Sequence, residues 1–445
     1  MNGAFRTTAL MGVLAAATIA TAIYYYPMPA EIVVDAKVNQ NLFETYETND
    51  VRSISITQFS DESNRLEQFR LRRKGERWVI PNAGDFPATR IARIGEVAKS
   101  LLGRKVLSLA TEDEQGHVEY GVVDPTEAGN SPNRSSLGLR VDLQDRNKGD
   151  IASLIIGKGV DGSNDGVPRY YVRVPGQPAV YELEVPKGIF RTRFEDWVDP
   201  NLMELPPPGS SEVSLSEVEV EQYRLDPAKI ATADRQELYR TEFQIGDAQL
   251  KKLVFETFKD GEFNKQELTA GQQQEVASTL VSLGNIRFID VVGKPKAAAN
   301  LLRDPAKKMD KEAFKPLEQF GFRIGKDDDF EGANGEVSVV TSNGVRVRLL
   351  LGSIAQRADT ENLDLHFHGM LVAQLEDSSF ESPTKPEGVA EDSEENKAYL
   401  RAMEELDRKR KSAKLRIAEL NRNWSKWIYV IPESTVNAIR PDVTL

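Results

Sequence analysis

Three groups of residues have the types and spacing that chemistry requires. His366 and His368 are two apart, and in a strand both would fall on one face, as two ligands of a metal would. No third ligand lies near them, and the only other histidine is His117. An exposed strand pair is the expectation. Gly157-Lys-Gly159-Val-Asp-Gly162 matches the Gly-x-Gly-x-x-Gly pattern and follows a strand-like run. A dinucleotide site also needs a helix directly afterwards, so that its N-terminus holds the phosphates, and here another strand-like run follows. Asp327, Asp329, Glu331 and Gly332 resemble the opening of a calcium loop, but its twelfth position would be Ser338 and no flanking helices are expected.

Other chemistry is thinner still. There is no cysteine, which removes thiol catalysis, cysteine-based zinc sites, disulfides and a lipid-carrying N-terminal cysteine. No Gly-x-Ser-x-Gly elbow, His-Glu-x-x-His helix or Walker loop occurs. Three histidines leave few bases tuned near neutrality. Acids are abundant, so a carboxylate pair assembled in space stays open. The expectation is a non-enzymatic chain with no cofactor and no metal. A net charge of -12 argues against nucleic acid as a partner, because phosphate binding needs a basic face.

The elements that would carry these residues begin with an uncharged run, residues 7–26, ending in Tyr24, Tyr25 and Tyr26. About twenty residues of helix span the hydrocarbon thickness of a bilayer. Arg6 on the near side keeps the N-terminus in the cytoplasm, and Pro27 and Pro29 stop the helix. Three readings are open: a retained transmembrane anchor, a signal peptide cut at Ala20-Thr21-Ala22, or a buried core helix. The first two export the rest. Residues 27–50 read as an extended tether.

From Val51 the chain alternates apolar and polar residues, and the pattern predicts an α+β fold. Strands are expected at 51–57, 66–72 and 75–80, a helix over 87–102, and a strand at 105–109. A turn-rich corner follows at Tyr120-Gly-Val-Val-Asp-Pro125, then strands at 137–143, 151–156, 170–174 and 180–184. Pro206-Pro-Pro-Gly-Ser-Ser211 reads as a linker at 206–211. The order then repeats: strands at 215–225 and 238–243, a helix over 267–283, a strand at 286–292. Phe320-Gly-Phe-Arg-Ile324 takes the place of the first corner. Residues 336–341 and 345–351 form a hairpin about Asn343-Gly344, a pair suited to a type I′ turn. Leu349-Leu-Leu-Gly-Ser353 corresponds to Leu154-Ile-Ile-Gly-Lys158, and Trp427–Pro432 to Ala179–Glu184. The expectation is two strand-rich modules, 51–205 and 212–445. The second would carry an insertion at 376–425, disordered at 376–396 and helical beyond.

In that helical part Met403, Leu406, Arg410, Ala413, Ile417, Leu420, Trp424 and Trp427 alternate in steps of three and four, a heptad seam with one arginine in it. A seam so narrow wants one facing partner. Either the helix lies back on its own module, or Met403, Leu406, Ala413, Ile417, Leu420 and Trp424 meet another helical protein. Trp78, Trp197 and Trp427 are expected core anchors, and Tyr120, Asp124 and Pro125 a structural corner.

The N-terminal apolar segment, Gly75–Ile80, the 120–125 corner, Leu154–Lys158 and Tyr170–Val174 with Val180-Tyr181 occur together. In this combination the chain resembles a bacterial domain-of-unknown-function family associated with gliding-motility-type ABC transporter auxiliary proteins, in a planctomycete-like version with tandem modules. The resemblance implies a single-pass protein of a bacterial inner membrane, periplasmic in bulk, working beside ABC-transporter membrane subunits. It carries over no catalytic residues. The alternative functions are a periplasmic module binding a glycan or peptide and a carboxylate-dependent hydrolase.

Overall fold

The computed structural model describes residues 37–440, apart from 62, 128–132, 162–167, 204–212, 247–248, 305–309, 327, 356–364, 387–389 and 391–392. The apolar segment at 7–26 lies outside the described residues. Among those described, no helix is long and apolar enough to cross a membrane.

Two large antiparallel sheets organise the chain. The strands of the first are β1 (Ser53–Ser60), β2 (Arg65–Lys74), β3 (Arg77–Ile80), β4 (Phe86–Pro87), β5 (Ser108–Thr111), β6 (Leu139–Gln144), β7 (Asp150–Gly159), β8 (Arg169–Arg173) and β9 (Val180–Glu184). Their order is β4-β3-β2-β1-β6-β7-β8-β9-β5. From the later residues come β10 (Leu215–Arg224), β11 (Gln236–Gly246), β12 (Gln249–Lys259), β13 (Glu262–Lys265), β14 (Asp290–Gly293), β15 (Phe322–Ile324), β16 (Phe330–Gly332), β17 (Glu336–Thr341), β18 (Val345–Ala355), β19 (His366–Leu375) and β20 (Trp427–Pro432). The second sheet runs β13-β12-β11-β10-β17-β18-β19-β20-β14, with β15 and β16 paired separately. Position by position, the two orders are the same.

The shared order rests on shared registers. Ile54 and Ile56 of β1 face Leu143 and Val141 of β6; Val218 and Val220 of β10 face Val339 and Val337 of β17. All eight are buried. Residues alternate sides along a strand, so one slip would turn these apolar sets outward. The corners match as well. Gly121 and Gly321 both sit at positive φ, 68° and 80°, which a side chain resists. Just beyond, a Cβ on Gly157 would lie 2.3 Å from the Tyr120 carbonyl oxygen, and one on Gly352 would lie 2.2 Å from that of Phe320. Only glycine lets these backbones approach so closely.

By spatial contact the chain divides into two compact units along other lines than chain order. One comprises residues up to Glu47, Ser100–Leu139 and Ala152–Lys187; the other comprises Thr48–Lys99, Arg140–Ile151 and all residues from Gly188. In the first, Val122, Ile155 and Val180 are buried with Ala110, Tyr120 and Tyr171 packed against them. Residues 38–42 are not a free tether. Val38 and Asn41 bridge to Val106 and Lys105, and the Leu42 N–H donates to the Arg104 carbonyl, so the strip has its backbone bonds supplied. In the second unit Trp197 is fully buried and stacks on Phe69 at 5.4 Å. Phe86 packs on Phe194, Phe288 and Trp427, an aromatic cluster that draws residues from both halves of the sequence into one core.

Several local expectations change. The hairpin β17–β18 forms, but Asn343 is absent from the residues of positive φ and only Gly344, at 77°, is left-handed. The Gly344 N–H donates to the Thr341 carbonyl, which makes a three-residue connection rather than a type I′ turn. The hairpin β12–β13 at 249–265 has no counterpart in the sequence expectation, because Lys251, Lys252 and Glu256 blur its alternation. Trp78 is half-buried, not a core anchor, since β3 is short and lies near the sheet edge. Residues 377–386, expected to be disordered, are placed by Phe380, which is 6% exposed and covers Gly344.

Candidate partner-binding groove beside the long helix

The insertion between β19 and β20 is built on one helix, Glu394–Trp424. The Ser393 side chain caps it by accepting from the Asn396 N–H at 3.1 Å, and Glu394 and Glu395 favour the positive end of its dipole. At the other end the Lys294 ammonium donates to the Trp424 carbonyl at 3.4 Å. Burial pushes that lysine down to about 7.

The helix lies back on its own sheet, against β19 and β18. Asn421 fixes it there. β20 pairs with β19 only over His366–Gly369, which leaves the backbone of Ala373 without a strand partner on that side. The buried Asn421 amide supplies one: its oxygen accepts from the Ala373 N–H and its nitrogen donates to the Ala373 carbonyl, both at 2.8 Å. The expected seam is divided by this packing. Leu406 and Ala413 are buried and so unavailable to a partner, while Met403, Ile417, Leu420 and Trp424 are half-buried. Arg410 has its guanidinium 5.4 Å from the centre of the Phe380 ring. Trp427 leaves the seam altogether, because the helix ends at Trp424 and the chain turns into β20.

Leu420 and Trp424 open onto a groove. Its larger part, about 580 Å³, is floored by Val339, Val345 and Val347 and edged by Thr341, Asn343 and Arg416. A second part, about 270 Å³, shares Asn201, Leu202, Asn423 and Trp424 with the first and runs on to Phe86, Phe288, Trp427 and Tyr429. The lining mixes apolar side chains with amide and hydroxyl groups and with the charged Arg416, Glu419 and Asp199 at its edges.

The residues singled out for chemistry are elsewhere and are occupied. His366 is buried and His368 half-buried, not an exposed pair, because β19 is covered on both faces. The His368 ring meets Phe320 edge-on, and its Nδ1 lies 3.1 Å from the Ser353 carbonyl. Asp329 and Glu331 are taken by arginines, Asp329 by Arg348 at 2.5 Å and Glu331 by Arg323 at 2.6 Å. Gly157 and Gly159 lie within β7; Asp327 and Gly162 lie outside the described residues. Asp124 is buried and accepts from the Thr126 N–H and hydroxyl, as a structural corner requires. Among the described residues no three His, Asp or Glu side chains are grouped so as to hold a metal ion.

Sequence reasoning missed a charged cluster on the opposite side of the second sheet. Arg348 donates to both oxygens of Glu336, to Asp329 and to the Phe330 carbonyl. Arg346 bridges Glu217, Glu219 and Glu376. Arg235 joins Glu221 and Glu237 and stacks 3.7 Å above Tyr223. Burial, then the neighbouring Glu221, push Glu219 up to about 7 against the pull of Arg346 and Arg240. The signal was present in Glu217-x-Glu219-x-Glu221 and Arg346-x-Arg348, charges repeating every second residue along β10 and β18.

A family model described as a domain of unknown function, DUF4340, matches residues 78–305, just over half of the chain. The chain belongs to the DUF4340 family. The DUF4340 region runs from Trp78 in β3 past the helix Lys296–Arg303, and so takes in the first corner, β5–β14 and the Asn201-Leu202 edge of the groove. The long helix lies beyond it. No curated protein and no solved structure matches this DUF4340 chain.

Proposed function

We propose that the chain is a non-catalytic envelope protein, held to a bacterial inner membrane by residues 7–26, with its bulk in the periplasm. It serves as an auxiliary or scaffold component of an ABC-transporter-type complex. We read its two sheets as copies of one module, 51–205 and 212–445; the matched strand orders and the paired glycines at 121 and 321 and at 157 and 352 support this. The observation that carries the functional reading is where the copies diverge. Between β8 and β9 the chain makes a short connection, whereas between β19 and β20 it inserts a clamped helix with an open groove at its side. A fixed helix beside an apolar floor is a common way to receive a segment of a partner.

A photo-crosslinking residue at Leu420, used in intact membranes, tests this. ABC-transporter membrane subunits are the expected products. Their absence at position 420, with the chain present in the membrane fraction, refutes the partner. Extraction of the chain by alkaline carbonate refutes the anchor.

A second reading is a periplasmic module for a glycan or peptide. The aromatic part of the groove favours it, because Phe86, Trp424 and Trp427 lie there beside Asp199, Asn201 and Asn423. A rise in Tm with oligosaccharides or peptides, lost on Trp424→Ala, would move this reading ahead.

A further inference from the structure

On β1 and β2 the inward-facing positions change character before the strands end. Ile54, Ile56, Phe69 and Leu71 are buried in the core. Residues two apart share a face, so Gln58, Ser60 and Glu67 face the same way. All three are half-buried. In the second sheet the equivalent pair is Gln222 opposite Tyr239, whose ring packs on Phe255 at 5.5 Å. The first sheet sets Glu67 opposite Gln58 and has a cavity of about 470 Å³ there. The helix Ile91–Lys99 contributes Arg93 to its wall, and the chain from Arg191 to Asp196 completes the lining.

Among the described residues, every side chain lining this cavity is polar or charged, so it is not a gap left by loose apolar packing. A chain of hydrogen bonds fixes one side. The Gln58 amide donates to the Thr192 hydroxyl at 2.9 Å, and that hydroxyl donates to Glu67 at 2.6 Å. The Ser63 hydroxyl donates to Glu67 as well, at 3.1 Å. Burial opposes the Glu67 charge, but these hydroxyl donors outweigh it and hold the carboxyl below its ordinary range. The Arg93 guanidinium donates to the Asp196 carboxylate at 3.2 Å and stands 5.7 Å from the centre of the Trp197 ring. Two lining charges are left over. Among the described residues, Arg191 and Glu195 have no ion-pair partner and no side-chain hydrogen bond. They carry opposite signs, stand four residues apart, and do not meet each other.

We propose that this cavity binds a free α-amino acid, with its carboxylate on Arg191 and its ammonium on Glu195. A guanidinium offers a carboxylate two parallel N–H groups, and a carboxylate accepts readily from an ammonium. A simple anion would meet Glu67 and Asp196 as like charges, and a simple cation would meet Arg93 and Arg193. A zwitterion satisfies both signs at once. An apolar ligand, or a sugar seeking a ring to stack on, finds no such surface, because Trp197 is fully buried. The cavity shares no residue with the groove beside the long helix, so the proposal stands apart from the envelope reading.

Calorimetric titration and thermal unfolding of the full chain in detergent test this, with alanine, glutamate and lysine as probes, each in its L and D form. At least one should bind saturably and raise Tm. Its N-acetyl and carboxamide derivatives should each bind at least about tenfold more weakly, since each removes one charged contact. Arg191→Gln should weaken the amino acid about tenfold and leave its carboxamide unaffected. Glu195→Gln should weaken the amino acid by a similar factor and leave its N-acetyl derivative unaffected. Arg191 is exposed and Glu195 half-buried, so both variants should unfold as the parent does. Trp424→Ala, in the groove, should change nothing. Inorganic phosphate bound as tightly as the amino acid would reveal a plain anion site and overturn the proposal. So would capped derivatives that bind as well as their parent, or binding that survives both Arg191→Gln and Glu195→Gln. Neither heat nor a rise in Tm with any of the probes overturns it too, and leaves the reading of the groove untouched.

Discussion

The inner and outer faces of the two sheets compare in opposite ways. Inside, they agree: Ile54, Ile56, Val141 and Leu143 take the registers that Val218, Val220, Val337 and Val339 take in the second sheet. Outside, they part. Where β10 presents Glu217, Glu219 and Glu221, the equivalent positions of β1 are Ser53, Ser55 and Thr57. The second sheet binds its acids with Arg235, Arg346 and Arg348; in the first, β6, the strand matching β17, carries the pair Arg140 with Asp142. Burial of the inner face fixes strand order and register, so those positions are held to apolar types. The opposite face is not held to apolar types: there the second sheet carries a buried charge network, Arg348 with Glu336, and between β19 and β20 it carries a helix.

If that contrast is right, the largest loss of stability should come from the charge network. Arg348→Met leaves the buried Glu336 without its cation, and should cost about 3–5 kcal/mol in urea unfolding. A cost no greater than that of Arg140→Met in the first sheet would break the comparison. Asn421→Leu comes next. It strips the partners from the buried Ala373 N–H and carbonyl and should cost about 2–4 kcal/mol, with faster amide exchange at Ala373. Unchanged exchange there would mean that the helix is not what holds this edge.

Gly157→Ala and Gly352→Ala sharpen the likeness instead. Each sets a methyl against a backbone carbonyl, and each should cost about 1–3 kcal/mol, or somewhat more, by a similar amount. A large penalty at one and none at the other would undo the equivalence of the corners. The smallest effect concerns pH. Folding raises Glu219 from the ordinary 4.5 to about 7, so the folded chain holds that proton more tightly than the unfolded one. Its contribution is therefore present below about 4.5 and is lost as pH rises through about 7. Glu219→Gln should remove this decline and appear more stable than the parent by roughly 1–2 kcal/mol at pH 8, with little difference at pH 4. Parallel stability profiles for the two proteins across that range would exclude a raised Glu219.

What could be read from the residues alone was local. Alternation along β1, β2, β10 and β17, the paired glycines of the corners and the helical pattern after Ser393 all follow from forces between near neighbours, so their element types and order were legible before any coordinates. The exposure of single side chains was not. His366 and His368 look like a surface pair until both faces of β19 are covered, and Asp329 and Glu331 look like metal ligands until Arg348 and Arg323 arrive from other strands. The heptad seam announced a facing surface, but not that its own sheet would supply one or that Asn421 would lock it to Ala373, 48 residues away. Spacing along a chain constrains which residues share a face. Which face is covered, and by what, depends on segments far apart in sequence, and only packing decides that.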